Sequence, residues 1–533
     1  MKVPFTETEI KTAVKKLKNK SPGPDNIVSE MLKSSPDIAY NKIAELVNYI
    51  AETGDVDEDL YSGILTPLQK PGKEKGKEEN LRPIILLNVI RKILAIVLLS
   101  RISNKIDNKI PNTQTAYRAG RSTTENVLTF KLLAEKAITE VNYEINIRLL
   151  DMSKAFDNVN RKILMDDLKL ILSNDELHLV KILLTNVSLQ VKTNNIFGEK
   201  FKTTKGIPQG DSLSPILFTL YLANAMKGEN NVNKNITQKH KYKTENKTSE
   251  EVLPNHLWDH NYSDNTNVGI SIDQQFADDV GYADSNEERV DKEVEDTNIR
   301  LSNRNLIINK GKTEKYKIDG TEDSWKKCKY LGSYLDTVSD FARRKQLSNV
   351  AYNSYKTTLE SKKLSLKTKV RLFRAYIESI FLYNSEIWTT SKKLENDIDV
   401  FQRNLLRRIL KIRYPYIISN EDLYKRTELE PWSLTIKKRR LRWLGHLMRL
   451  DESTPVRRAL EEATRKGGKK KRGNHKTWVK IVNEDLSKLD PELVLSGQKL
   501  KELVKNRDEW NGMIKRDPRT GPTTGGGDIV QVH

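Results

Sequence analysis

Hydrophobic and polar positions along this chain follow two periodicities, and the balance between them shifts toward the C-terminus. Residues 144–150 (EINIRLL) alternate as a half-buried strand does, and 269–276 (GISIDQQF) repeat the pattern, with 280–283 placed to return beside them. Asp278 and Asp279 fall at the turn between those runs, which predicts a hairpin tip carrying two carboxylates. Residues 161–172 have helical spacing. The most apolar run, 83–102, is interrupted by Asn88, Arg91 and Lys92, and so predicts a buried amphipathic helix rather than a membrane span. Beyond residue 364 the helical period dominates, over 367–380, 394–412 and 435–450. The pattern implies an α+β body followed by a basic, α-helical C-terminal third.

Four polar stretches punctuate this order. They are a loop at 71–80, an insert at 228–265 rich in Asn, Lys, Thr, Glu and His, a glycine-lysine hinge at 466–473, and a Gly/Thr-rich tail over 520–533 expected to be disordered. No internal repeat is visible.

Composition adds a partner class. Charged residues make up 31% of the 533 positions and hydrophobic residues 37%, with a mean hydropathy of −0.63, which is the profile of a water-soluble chain. The formal net charge is +20, so a polyanion is the natural partner, although a lysine-rich background would give the same excess. Met1 and Lys2 lead into a polar stretch without the apolar core of a signal peptide. Cys328 is the single cysteine, which excludes an internal disulfide and a zinc knuckle and fits a reducing compartment.

The candidate chemistry lies in the carboxylates. Asp151 follows one strand and the pair Asp278-Asp279 ends another, and a lone member of either set would be an ordinary turn residue. Brought together they would repel unless a cation lay between them. Hard oxygen donors without histidine or cysteine favour Mg2+, or Mn2+, over zinc. Two such ions would clamp the attacking and leaving oxygens of a phosphoryl displacement.

The flanking residues carry a family resemblance. DMSKAFD at 151–157 resembles the first catalytic motif of reverse transcriptases, and FADD at 276–279 resembles the second in the form usual for non-LTR, LINE-type retrotransposons. Between them GIPQGDSLSPILF at 206–218 is similar to the intervening motif almost residue for residue. SPGPD at 21–25, LRPIILLN at 81–88, AYRAGRS at 116–122, LIINKGKT at 306–313 and YLGS at 330–333 complete the set in order. The likeness is dense over residues 5–335 and looser to about 485.

That resemblance implies a right-hand polymerase. Fingers and palm would occupy 1–335, a helical thumb 336–430, a basic helical region 431–515 and a disordered tail 516–533. Asp151, Asp278 and Asp279 would hold the metals, with Asp279 in a supporting place. Phe156 would lie under the sugar and exclude a 2′-hydroxyl, and Gln209 would contact the incoming nucleotide. Arg82 and Lys70 would grip the triphosphate, and Lys312 would bind phosphate or protonate the leaving pyrophosphate. Arg118, Arg121, Tyr330 and Gly332 would touch nucleic acid, the last two as a primer-gripping hairpin.

In the C-terminal third the same role falls to Arg442, Trp443, Lys470 and Arg472. RWLGH at 442–446 resembles a segment found downstream of the polymerase in such elements. The run at 437–440 reads equally well as a solvated helix face.

The implied reaction is RNA-directed DNA synthesis from an RNA template and a DNA primer with dNTPs, at a nuclear site of action and with no membrane involved. Because the leading polymerase motif comes so early, no nicking domain is expected within these residues, and a separate endonuclease becomes an expected partner. A catalytically inactive, maturase-like RNA-binding protein is the main alternative, and the intact carboxylates argue against it. An RNA-directed RNA polymerase is the other, opposed by Phe156.

Overall fold

A computed structural model describes residues 3–515, apart from Pro71, Asn186, Asn195, 228–269, Lys466, Gly467, Asn474 and Ser496. The polar insert expected at 228–265, the tail at 516–533 and part of the 466–473 hinge therefore lie outside the described residues.

Two four-stranded sheets organise the α+β body. The first has the order β2-β1-β4-β5, from β1 (Ser62–Gln69), β2 (Leu81–Leu87), β4 (Ser188–Thr193) and β5 (Ile196–Lys202). The second, wholly antiparallel, has the order β6-β7-β3-β8, from β3 (Ile145–Leu150), β6 (Ser271–Phe276), β7 (Asp279–Asp284) and β8 (Glu314–Ile318). Every residue of β3 is buried, because sheet neighbours flank it on both sides and helices pack against its faces. A short hairpin, β9 (Lys329–Tyr330) and β10 (Ser333–Tyr334), follows.

The run 83–102 departs from its expectation of a single helix. The chain forms β2 as far as Leu87 and starts a helix, Val89–Asp107, only after Asn88. The Asn88 side chain accepts the amide of Ile90 at 2.9 Å, an N-cap that divides one apolar run into two elements. Elsewhere the helical period is closely followed, as Lys392–Ile409 and Trp432–Arg449. The stretch 367–380 becomes Leu366–Phe373 and Ser379–Phe381, joined by a π-helical turn over Arg374–Glu378. No helix among the described residues is long and apolar enough to cross a membrane.

The helix Thr123–Thr139 lies at the centre and is buried on nearly every side. A helix so placed is normally apolar all round, yet this one carries Lys131, Glu135 and Lys136. Each charge finds a partner from beyond residue 330. Lys131 Nζ donates to the Leu335 carbonyl at 2.8 Å, Glu135 accepts the Trp478 amide at 2.6 Å, and Lys136 pairs with Glu462 at 2.6 Å. One hydrophobic core accordingly combines this helix and the second sheet with residues 441–514. A second core spans the N-terminal helices, and a third spans 341–436.

Candidate active site

Sheet register is what brings the carboxylates together. Leu150, the last residue of β3, lies opposite Val280, so one further step sets Asp151 against Asp279. Strands β6 and β7 close through Ala277 and Asp278, with Phe276 opposite Asp279. Ala277 takes a φ of +53° to make so tight a turn. Glycine is the usual residue at that place, and an L-residue there costs about 1–2 kcal/mol. Gln114, fully buried, offsets the strain by accepting the Ala277 amide at 3.1 Å and donating to its carbonyl at 3.4 Å. Bonds from Thr115 N to Gln275 O (3.0 Å) and Gln275 N to Thr113 O (2.8 Å) lay this segment along β6.

The loop before β8 closes the other side. Asn309 N donates to Asp151 O at 2.8 Å and Ser153 N to Ile307 O at 2.9 Å, and Lys312 Nζ reaches Asp151 Oδ2 at 2.9 Å. Burial, and after it the charge of Asp151, pushes the Asp278 carboxyl above its ordinary value, with Lys312 and Arg82 opposing. Asp279 is raised to about 7, first by burial and then by Asp278 and Asp151. Three like charges in a half-buried cluster are the condition that a cation relieves.

No group of three or more His, Cys, Asp and Glu side chains among the described residues forms a ready cage. Magnesium at phosphate-transfer sites needs only one or two carboxylates, completing its shell with substrate oxygens and water. These residues fit that mode.

The residues expected to face the nucleotide are interlocked through backbone. Gly206 N donates to Val159 O (2.8 Å), Ile207 N to Phe156 O (3.0 Å), and Ile85 N of β2 to Gln209 O (2.8 Å). Gly206 at φ +78° passes so close that a Cβ would lie 2.8 Å from Asp157 O, and Gly210 at φ +123° would meet Ile85 O at 2.6 Å. The side chain of Gln209 donates to Asp157 Oδ1 at 3.2 Å, and the Phe156 ring stacks on the buried Phe218 at 4.4 Å. Arg161 clamps the approach to this loop, donating to the carbonyls of Thr203 and Gly206, each at 2.7 Å. Arg82 is exposed on β2, within electrostatic reach of Asp278. Lys70, just past β1, donates to Glu79 O at 2.8 Å.

The expected nucleic-acid residues divide into groups. Arg118 and Arg121 are engaged inside the fold, Arg118 by Asp107 at 2.7 Å and Arg121 by Glu125 at 2.8 Å. Tyr330 is buried against Phe130 within electrostatic range of Asp279, and Gly332, at φ +81°, forms the exposed hairpin turn. Arg442 and Arg472 are exposed, Trp443 packs against His446, and Lys470 pairs with the buried Glu140. The basic run before them is neither a solvated face nor a free cationic patch. Lys437 pairs with Glu395, Lys438 with Glu430, Arg439 with Glu386, and Arg440, fully buried, with Asp485. Gln114, Asp157, Arg161 and Phe218 were not singled out from sequence. Each acts through a partner 52 or more residues away in the chain, except Arg161, whose loop is 42 away.

A family model described as reverse transcriptase (RNA-dependent DNA polymerase) matches residues 68–335. The probable RNA-directed DNA polymerases from transposon BS and from transposon X-element, both of Drosophila melanogaster, are each 27% identical over 223 residues, which is 41% of this chain. The chain spans 24% of the length of those relatives. Among solved structures, a telomerase from Candida tropicalis in complex with a fragment of telomeric RNA aligns at 14% identity and a TM-score of 0.40, over 88% of this chain and 68% of that one. The family match takes in half of the chain, from β1 to the β9–β10 hairpin, and the strand-borne carboxylates lie within it. This chain belongs to the reverse transcriptase (RNA-dependent DNA polymerase) family.

Proposed function

We propose that the chain is an RNA-directed DNA polymerase that adds deoxynucleotides to the 3′-hydroxyl of a primer on an RNA template. The observation that carries this reading is the convergence of Asp151 with the Asp278-Asp279 turn, fixed by the register of β3 on β7. The supporting relatives are named for the same activity. In this reading residues 1–335 are fingers and palm, 336–430 the thumb and 431–515 a basic C-terminal region.

Asp151 and Asp278 would hold Mg2+, or Mn2+, with Asp279 beside them. The bound metal would neutralise the charge developing on the phosphate and favour the ionised form of the primer hydroxyl. The residues of the chain do the positioning. Arg82 and Lys70 face the triphosphate from the ends of β2 and β1, Arg82 with a forked set of donors suited to phosphate oxygens. Phe156, held flat by Phe218, closes the space beneath the sugar C2′. Gln209, oriented by Asp157, sits against the base pair being formed. Lys312 can leave Asp151 for the phosphates once the carboxylate has a cation. The hydroxyl oxygen attacks the α-phosphorus, the bond to the bridging oxygen breaks, and pyrophosphate leaves.

Primer extension on an RNA template with dNTPs and Mg2+ tests the reading. Extension by the wild type is expected, with Asp278→Asn abolishing it and leaving RNA binding in place. A wild-type chain that binds RNA but extends nothing would establish the maturase-like alternative.

A further inference from the structure

Between the helices Lys392–Ile409 and Asn420–Thr427 the chain makes a loop whose surface differs from the rest of the molecule. Its base is anchored, since Ile412 and Ile418 pack on the third core. Between those anchors Tyr414 is 90% exposed, and Tyr416 and Ile417 are 80% exposed. The loop is closed on itself, with Tyr416 N donating to Arg413 O at 2.9 Å. Two aromatic rings displayed from a pinned turn are costly to leave in water, and nothing else in the described chain covers them.

The surroundings state what would. Lys411 and Arg413 are exposed and have no carboxylate partner among the described residues. Neither 407–418 nor 361–377 contains an aspartate or glutamate, while the second stretch holds Lys362, Lys363, Lys367, Lys369 and Arg371. The two stretches adjoin. Lys369 is held below its ordinary value by partial burial and then by the neighbouring charge of Lys411. Glu360 is the acidic group that also acts on Lys369, and it already accepts the Tyr352 hydroxyl at 2.7 Å. Clustered cations beside unstacked aromatic rings complement a strand whose bases are free to stack and whose phosphates need neutralising. A duplex hides its base faces and would use only the cations.

We propose that the Tyr414–Tyr416 loop and its lysine-rich neighbour, built on a hydrophobic core that shares no residue with the one behind Asp151, form a second nucleic-acid site that binds single-stranded RNA. The choice of RNA rests on the template assigned above. A single strand held here would be the unpaired part of the template, kept on the enzyme while another part is copied.

The test uses the full chain with its cleft saturated by a blunt RNA–DNA primer–template duplex, and a labelled single-stranded RNA followed by fluorescence anisotropy. The wild type should still bind the labelled strand, and Y414A/Y416A should bind it about tenfold or more weakly, with an unchanged melting curve because both side chains face solvent. K411E/R413E should weaken it too and flatten its salt dependence. Primer extension on a template too short to leave the cleft should be the same in all three proteins.

Equal affinity of the wild type and Y414A/Y416A overturns the site. Labelled duplex competing as well as single strand overturns the stacking role, and equal binding of a DNA strand of the same sequence overturns the choice of RNA. Failure of the wild type to extend the short template would strike the polymerase reading alone, since the binding comparison stands without it.

Discussion

Ala277 holds a backbone conformation that alanine resists, at the tip that carries Asp278. Its strain, about 1–2 kcal/mol, is matched by two bonds to Gln114, each worth about 1 kcal/mol. Gln114→Ala should therefore lower stability by about 1–3 kcal/mol in urea denaturation, because it leaves the buried Ala277 amide unsatisfied. It should also lower kcat in primer extension more than it raises KM, since the carboxylates lose their fixed position. Asp157→Ala should do the reverse, raising KM for the nucleotide several-fold by freeing the Gln209 amide. For Phe156, held against Phe218 at 4.4 Å, the expected result of Phe156→Val is greater ribonucleotide incorporation, read by extension with mixed NTP pools. Asp151, Asp278 and Asp279 were legible because short strands lead straight to them. Gln114 was not, because an amide that orients another group has no local pattern, and Asp157 stood in the 151–157 motif without a sign of its partner 52 residues on.

At the scale of elements, alternation and helical period located β3, the β6–β7 hairpin and the long C-terminal helices within a few residues. They failed where a cap outranked a period, at Asn88, and where charge was read without its partners, at 437–440. In that run each cation meets a carboxylate from another element, and Arg440 is buried with Asp485. Arg440→Met should destabilise by about 3–5 kcal/mol by stranding a buried carboxylate, and pairing it with Asp485→Leu should recover most of the loss. Denaturation of the single and double variants checks this.

A second element reports on pH. Arg101 holds Glu9 below its ordinary carboxylate value, joining the helix Glu7–Lys16 to Val89–Asp107. A lowered folded value means stability that is present above 4.5 and lost as pH falls through the folded value. Hydrogen-exchange protection in Glu7–Lys16 should thus be lost in acid ahead of that in the second sheet, and Glu9→Gln should remove that pH dependence.

For the whole molecule, the family match ends at residue 335 but the packing does not. The core around the helix Thr123–Thr139 takes Leu441, Trp478 and Trp510 from the C-terminal region and joins them to Val127, Phe130 and Ile147. A chain ended at residue 430 should expose that face and aggregate, which size-exclusion chromatography of the truncated and full chains will show. None of this was legible beforehand, because a basic composition hides how many of its charges are spent internally. The helix Thr123–Thr139 gives the arrangement a further meaning. Lys131, Glu135 and Lys136 are inherited on one side of residue 335, and their partners Leu335, Trp478 and Glu462 at or beyond it. A recombinant chain that exchanged its downstream half at that point would leave these three side chains to one another and to Glu140 unless the new half supplied groups at the same places. Such mosaics should be selected against unless both halves descend together, so the segments before and after residue 335 form one heritable unit.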